Sequence, residues 1–560
     1  MPKRPVDIGA VAVLVAVLAS CGGSGDPESS QPALDAPLHF SDITAQTGID
    51  MTPTSGEIPQ TQILEVKGGG LALIDYDNDG DPDLFVPNGA TLKRPHKGPG
   101  CRLFENLGGM RFRDATTSAG LSFDRWGYGT AVGDYDGDGF DDIYVTCFGP
   151  NALLRNTGKG GFVEVSASAG VEGSEWSSAS AFGDIDRDGD LDLYVVNYLA
   201  MDPARPPPRT RFLGVDVFSG PKGLPALPDV LYENQGDGTF KDISESSGIS
   251  QASPSYGLGA VMIDFDGDHL VDIYVGNDSQ ASFLFRNLGG GRYREVGIEC
   301  GVALDQDGGA QATMGIAIAD VDENGTPDVF TTNFMNDTNT LHVNLGDLLF
   351  EDRTRRYGLC LVSRPYLGWA TCFFDFDHDA DEDLVVFNGH VYPETAARAH
   401  KWEYRQTPLL FEREGGRFRL ATAASAGAWL GEKHCDRSAA FGDLDGDGDI
   451  DMVVTELNGP LRVLRNDRNG GDWLIVALRD HRPGHDHRGL GSSVVVRTSH
   501  GKQRRWIVGG TSFLAANQLI AHFGLPEGTR SVTLEVTWSD GHEQILENVS
   551  SGLTHVVERR

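Results

Sequence analysis

Hydrophobic and polar positions along the chain fall into a recurring unit. An apolar run such as Gly70 to Ile74 leads into nine residues dominated by alternating acids, and a second apolar run such as Asp83 to Val86 follows. Two more runs complete the unit, most clearly Arg102-Leu103-Phe104-Glu105-Asn106 and Arg111-Phe112-Arg113-Asp114, with glycines between them. Short β-rich runs divided by turn residues predict four antiparallel strands per unit. The acidic stretch forms the first turn, and a Gly-rich hairpin joins the third strand to the fourth. Related third runs end at Asn156, Asn234, Asn287, Asn344 and Asn466, and fourth runs begin at Phe112, Phe162, Phe240, Tyr293, Phe350 and Phe418.

The acidic stretch occurs seven times, starting at Asp75, Asp134, Asp184, Asp264, Asp320, Asp375 and Asp443, at intervals of 50 to 80 residues. Self-similarity at that period, with insertions of variable length, predicts blades. The last unit stops after its third run, Leu464-Arg465-Asn466, while an orphan fourth run, Phe40-Ser41-Asp42-Ile43-Thr44 with Gly48, precedes the first unit. The N-terminal strand is therefore expected to complete the last blade, which leaves no open edge in the ring. The expected fold is all-β: a seven-bladed β-propeller over residues 38–469 closed by an N-terminal strand. A small β-domain follows over 470–560, where residues 472–556 read as about six short strands with Gly turns.

In each acidic loop the side chains of positions one, three, five and nine and the carbonyl of position seven offer an all-oxygen set for a hard cation, best suited to calcium. The candidate ligands are Asp75, Asp77, Asp79, Asp81 and Asp83; Asp134, Asp136, Asp138, Phe140 and Asp142; Asp184, Asp186, Asp188, Asp190 and Asp192; Asp264, Asp266, Asp268, Leu270 and Asp272; Asp320, Asp322, Asn324, Thr326 and Asp328; Asp375, Asp377, Asp379, Asp381 and Asp383; and Asp443, Asp445, Asp447, Asp449 and Asp451. An EF-hand needs Glu at position twelve and flanking helices, whereas Val86 and Val145 stand there within predicted strands. Seven equivalent loops in register point to a structural role for up to seven Ca2+ ions. His269 and Ala380 replace the Gly of position six, so the fourth and sixth loops are expected to be weaker or distorted.

The repeats resemble FG-GAP/VCBS repeats, the kind found in integrin α-subunit propellers. Beyond Asn469, the segments Arg488-Gly489-Leu490-Gly491, Val508-Gly509-Gly510-Thr511-Ser512-Phe513, His522-Phe523-Gly524-Leu525 and Val536-Thr537-Trp538-Ser539-Asp540-Gly541 resemble the ASPIC/UnbV domain. The combination is similar to the cartilage acidic protein family with its many bacterial members. The resemblance implies an architecture more than a biochemistry.

Net charge is −35 over 560 residues. Seven divalent ions would leave it strongly negative, which argues against nucleic acid or an anionic lipid surface as partner, since both are bound by clustered Lys and Arg. The N-terminus reads as a targeting segment: Lys3 and Arg4, an apolar run from Ile8 to Leu18, then Leu18-Ala19-Ser20-Cys21. It resembles a bacterial lipobox, which implies cleavage before Cys21, lipidation of its thiol, a flexible tether over 22–37 and export to the cell envelope, with a lipid anchor as the sole link to the membrane. Six further cysteines permit disulfides in that oxidising setting, and the sequence selects no pairing.

If strands alternate in direction, the acidic loops lie at one end of every blade and the second-to-third and inter-blade connections at the other. The longest insertions, 198–229 and 389–408, fall on the second end. Trp126, Tyr128, Trp176, Tyr256, Tyr366 and Trp369 sit in or beside inter-blade connections, and His390, Tyr392 and Trp402 lie in the second insertion. These residues are the candidate ligand face, with inter-blade packing as the competing role of each aromatic. Asn388-Gly389-His390-Val391-Tyr392-Pro393 resembles a recurrent segment of the bacterial family. His481, His485 and His487 have a spacing that fits a transition metal, but a solvated Gly/Pro loop accounts for them more simply. There is no GxSxG, P-loop, HExxH or nucleotide fingerprint, and no catalytic residue is assigned. The expected function is binding or adhesion toward a protein or carbohydrate. The alternatives are a polysaccharide lyase or hydrolase working on the face opposite the calcium loops, and a non-catalytic subunit of an envelope assembly.

Overall fold

Short apolar runs flanked by turn residues have no length for helix, and they pair into sheets. The computed structural model describes residues 40–394, 403–468, 471–499 and 501–560. Cys21, the tether and Trp402 lie outside the described residues. Seven sheets follow the predicted order, beginning with Leu71–Ile74, Asp83–Val86, Arg102–Asn106 and Phe112–Asp114 in blade 1. The innermost strands, Leu71–Ile74, Gly127–Gly133, Ser177–Gly183, Gly257–Ile263, Thr313–Ala319, Gly368–Phe374 and Asp436–Gly442, are buried almost throughout. Both faces of each are covered, so they read as runs of apolar and small residues without alternation. Most outermost strands have three residues and bury only the leading aromatic, as at Phe112–Asp114, and such short edges resist further pairing.

Innermost strands of successive blades touch around the ring, and Leu71–Ile74 meets both Gly127–Gly133 and Asp436–Gly442. In the last blade Phe40–Asp42 pairs antiparallel with Arg462–Asn466, setting Phe40 opposite Asn466. The Ile43 N–H extends the pairing to the Val463 carbonyl at 3.0 Å.

The C-terminal domain has a three-stranded sheet (Ala521–Leu525, Asp472–Asp480, Thr554–Arg559) and a four-stranded one (Gly501–Trp506, Ser493–Thr498, Ser531–Thr537, Glu543–Ser550). It is no separate appendage. Its Leu474, Val476 and Phe523 share one apolar cluster with Ala131, Tyr135 and Phe182 of the ring. Between Trp506 and Ala521 the chain enters the ring, and Ala515–Ala516 adds a parallel fifth strand to blade 1 beside Leu71 and Ala72. Ser512 exchanges backbone hydrogen bonds with Ile316 of blade 5, and its hydroxyl donates to the Ala439 carbonyl of blade 7 at 2.7 Å. Gly510, at φ +80°, lies so near blade 4 that a Cβ would stand 2.0 Å from the Ala260 oxygen. The stretch Val508–Phe513 is thus a plug along the axis of the ring. The six described cysteines are free thiols, so no disulfide staples this part of the chain.

Candidate functional site

Each acidic loop begins where an innermost strand ends, and its last acid opens the next strand. In the loops starting at Asp75, Asp134, Asp184, Asp264 and Asp320, carboxylate oxygens of positions one, three and nine lie within 4.8 Å of one another. Position nine is fixed by backbone. Asp83 accepts from the Tyr76 N–H at 3.1 Å and the Asn106 N–H at 2.8 Å. Position five shapes the turn: Asp79 accepts from the Asp81 N–H at 3.0 Å, and Asp138, Asp188, Asp268, Asn324, Asp379 and Asp447 accept in the same way from position seven. Position three is left over. A buried oxygen of Asp77, Asp136, Asp322, Asp377 and Asp445 has no hydrogen-bond partner. Burial, then repulsion by Asp77 and Asp79, lifts Asp83 to about 9, and burial lifts Asp328 to about 8. Converging, orphaned, desolvated carboxylates fit a hard divalent cation, which would supply the missing positive charge.

The expected distortion of the fourth loop is absent. His269 and Ala380 take the left-handed backbone that Gly80 takes elsewhere, at φ +65° and +82° against +99°. Their N–H groups still donate to position one, each at 2.8 Å. The substitution is absorbed as backbone strain, not as a lost geometry.

Third-strand asparagines lock each loop to its neighbour. Asn156 donates to the Tyr76 carbonyl of the preceding loop at 2.8 Å, and Asn106, Asn234, Asn287, Asn344 and Asn466 do the same to Leu444, Tyr135, Ile185, Phe265 and Phe376. Blade 6 lacks the asparagine. There Arg413 gives its N–H to Asp383 and its guanidinium to the Val321 carbonyl at 2.6 Å. The ring of inter-blade bonds is therefore complete, a role that the recurrent Asn signalled only by position.

The C-terminal domain lies over these loops. His487 is buried and sits 2.9 Å from Asp134, so it is not part of a solvated loop; His481 is exposed and His485 half-buried. Arg488 reaches Asp141 at 2.6 Å and Asp75 at 3.4 Å. Burial opposes ionisation of Asp141, but Arg488 and His487 hold it below the usual carboxylate range. Arg505 pairs with Glu382 at 3.1 Å, and His522 contacts the Gly448 carbonyl at 3.0 Å.

The opposite face carries the insertions and a cavity of about 400 Å³ over the ring axis. Its walls are Phe212, Phe218, Trp369, Tyr392, Met314 and Met335, and Lys67 and Asp278 form its polar floor. Of the predicted ligand-face residues that are described, only Trp369 and Tyr392 line it. Trp126, Tyr128, Trp176 and Tyr256 are buried and, with Tyr198, form a ladder of rings 5.0 to 6.2 Å apart. Tyr366 packs half-buried against the core between blades 5 and 6. His390 is wholly buried; its Nδ1 accepts from the Tyr392 N–H at 3.0 Å and its Nε2 faces the Met335 sulfur at 3.3 Å. Sequence reasoning missed Lys67, Asp278, Tyr198 and Arg437. The available signal was a lone basic residue in an apolar setting, as in Glu65-Val66-Lys67-Gly68-Gly69 and in the inner strand at Arg437.

The sequence model of the ASPIC and UnbV family matches residues 483–560, and that of the FG-GAP-like repeat matches 75–145, 134–195, 215–275 and 264–331. Human cartilage acidic protein 1 is 27% identical over 60% of this chain and 48% of its own length. The Xenopus tropicalis protein of that name is 29% identical over 48% of this chain and 40% of its own. The chain thus spans about half the length of these curated relatives. Among solved structures, an Agrocybe aegerita lectin recognising non-reducing terminal N-acetylglucosamine is similar over 71% of this chain and 94% of its own, at 15% identity and a TM-score of 0.37. That overlap is too loose to bear on function.

Proposed function

Because the chain carries FG-GAP-like repeats followed by an ASPIC and UnbV domain and is related to cartilage acidic protein 1, we propose that it is a calcium-braced binding module that engages a protein or carbohydrate through the face opposite its acidic loops. The observation that carries this reading is the asymmetry of the two faces. The C-terminal domain covers the acidic loops and fills the axis from their side, while the insertions surround an aromatic-walled cavity on the other. Variable loops on a rigid ring are where recognition tends to reside. The acidic loops belong to the framework on this reading, with the side chains of positions one, three, five and nine and the carbonyl of position seven holding calcium. The lipobox-like Leu18-Ala19-Ser20-Cys21 supports export and lipid anchoring in a bacterial envelope. Among the described residues no helix is long and apolar enough to cross a membrane.

The test is to screen the calcium-loaded chain from residue 22 onward against glycan and envelope-protein arrays, beside Phe212→Ala and a control on the other face, His481→Ala. Saturable binding without product, lost in Phe212→Ala and kept in His481→Ala, is expected. Turnover of a glycan favours the lyase or hydrolase alternative, and binding that survives Phe212→Ala contradicts the assignment of the face.

A further inference from the structure

Lys67 is 5% exposed at the floor of the axial cavity. Among the described residues its one hydrogen-bond partner is Asp278, at a long 3.4 Å, and the ammonium lies 4.4 Å from the centre of the Tyr198 ring. Asp278 is already engaged, since Tyr198 donates to the same oxygen at 2.7 Å and Ser279 to the other at 3.0 Å. A second cation lies beneath. Arg437 is fully buried, and its guanidinium sits 4.3 Å from the Trp369 ring. It donates to the carbonyls of Val66, Gly389, Asp436 and His390 and, among the described residues, forms no ion pair. Burial pushes the Lys67 amine below its ordinary value, Asp278 pulls it back, and Arg437 pushes it further down.

The charges do not cancel. Lys67 has a single carboxylate partner, Asp278, and the carboxylates nearest Arg437, Asp436 and Glu456, are already paired with Arg462 and Arg405, while Lys222 and Asp337 offset each other. Glu65, two residues along the chain, is spent on its own loop, where it accepts from the N–H groups of Glu57, Thr61 and Gln62 and from the Thr61 hydroxyl. A local surplus of one positive charge in a chain of net charge −35 marks a site for an anion. An ammonium has three donors, and Lys67, a lining residue of the cavity, spends one of them on Asp278. The walls are aromatic and thioether side chains, and the volume falls in the range of small-molecule pockets.

We infer that the axial cavity binds a small organic monocarboxylate with an aromatic or aliphatic body, its carboxylate on Lys67 and its body against Phe212, Phe218, Trp369 and Tyr392. The inference rests on the reading of this face as the binding surface and names the ligand chemistry of its centre.

Calorimetric titration and thermal shift of the calcium-loaded chain use phenylacetate, 3-phenylpropionate and octanoate as probes, each beside its uncharged amide. At least one acid is expected to bind and raise the melting temperature, with its amide weaker by about tenfold or more, the worth of a charge-assisted hydrogen bond. Lys67→Met is expected to erase that preference. Should Lys67→Met fail to fold, Asp278→Asn serves instead: it leaves Lys67 without its competitor and is expected to tighten the acid. Equal binding of acid and amide, no binding of any probe, or a weaker acid in Asp278→Asn overturns the inference. Loss of a macromolecular ligand in Phe212→Ala alongside any of those results leaves the face assignment standing and removes only the carboxylate.

Discussion

Ala380 is a residue whose identity and backbone disagree. An L side chain at φ +82° carries a cost of about 1 kcal/mol or more relative to glycine. Ala380→Gly is therefore expected to raise the unfolding free energy by about 1 kcal/mol, measured by denaturant melts with calcium present; a variant less stable than the parent contradicts the strain reading. His390 gives a pH prediction. Burial, aided by Arg437, pushes its imidazole down to about 3, whereas the unfolded chain titrates near 6.5. Between those values the unfolded state holds a proton that the native state lacks. The stabilisation is complete above about pH 6.5 and is lost as pH falls, at up to about 1.4 kcal/mol per pH unit. His390→Phe should flatten the difference in stability between pH 7 and 5 relative to the parent, and identical slopes would remove His390 as a cause. Residue roles were partly legible in the sequence. Acidic spacing anticipated that the carboxylates of positions one, three and nine converge, but the turn role of position five depends on where its oxygen points, which spacing does not specify.

At the scale of elements, strand ends were legible almost to the residue, because Asn closes the third strand in every unit but the sixth and an aromatic leads the fourth. The plug was not. Val508-Gly509-Gly510-Thr511-Ser512-Phe513 looks like a Gly-rich connection, and its insertion among the inner strands is a long-range event with no local periodicity. Gly510→Val tests it: a side chain at φ +80° against the Ala260 oxygen should lower the melting temperature by several degrees, given about 2 kcal/mol or more of strain and displacement. A melting curve like the parent's would mean that the plug does not brace the ring. Deleting residues 40–47 removes the fourth strand of the last blade and should likewise destabilise the chain; equal stability would refute closure by that strand. The same logic explains the hidden cavity floor. Lys67 and Asp278 are 211 residues apart and meet only when the ring closes.

For the whole molecule, a charge of −35 concentrated in seven loops is an obstacle to folding unless cations or the C-terminal arginines offset it. The inter-blade Asn bonds run through the backbone of those loops, so loop order and ring order are coupled. Calcium bound only by the native state stabilises it by about 2.7 kcal/mol per site at a hundredfold excess over Kd, and several sites add. The most direct measurement is calorimetric melting of the chain from residue 22 onward, with calcium and after exhaustive chelation by EGTA, together with the number of ions bound on readdition. A fall of many degrees on chelation, reversed by several calcium ions per chain, is the predicted result; an unchanged melting curve with no calcium uptake would contradict it.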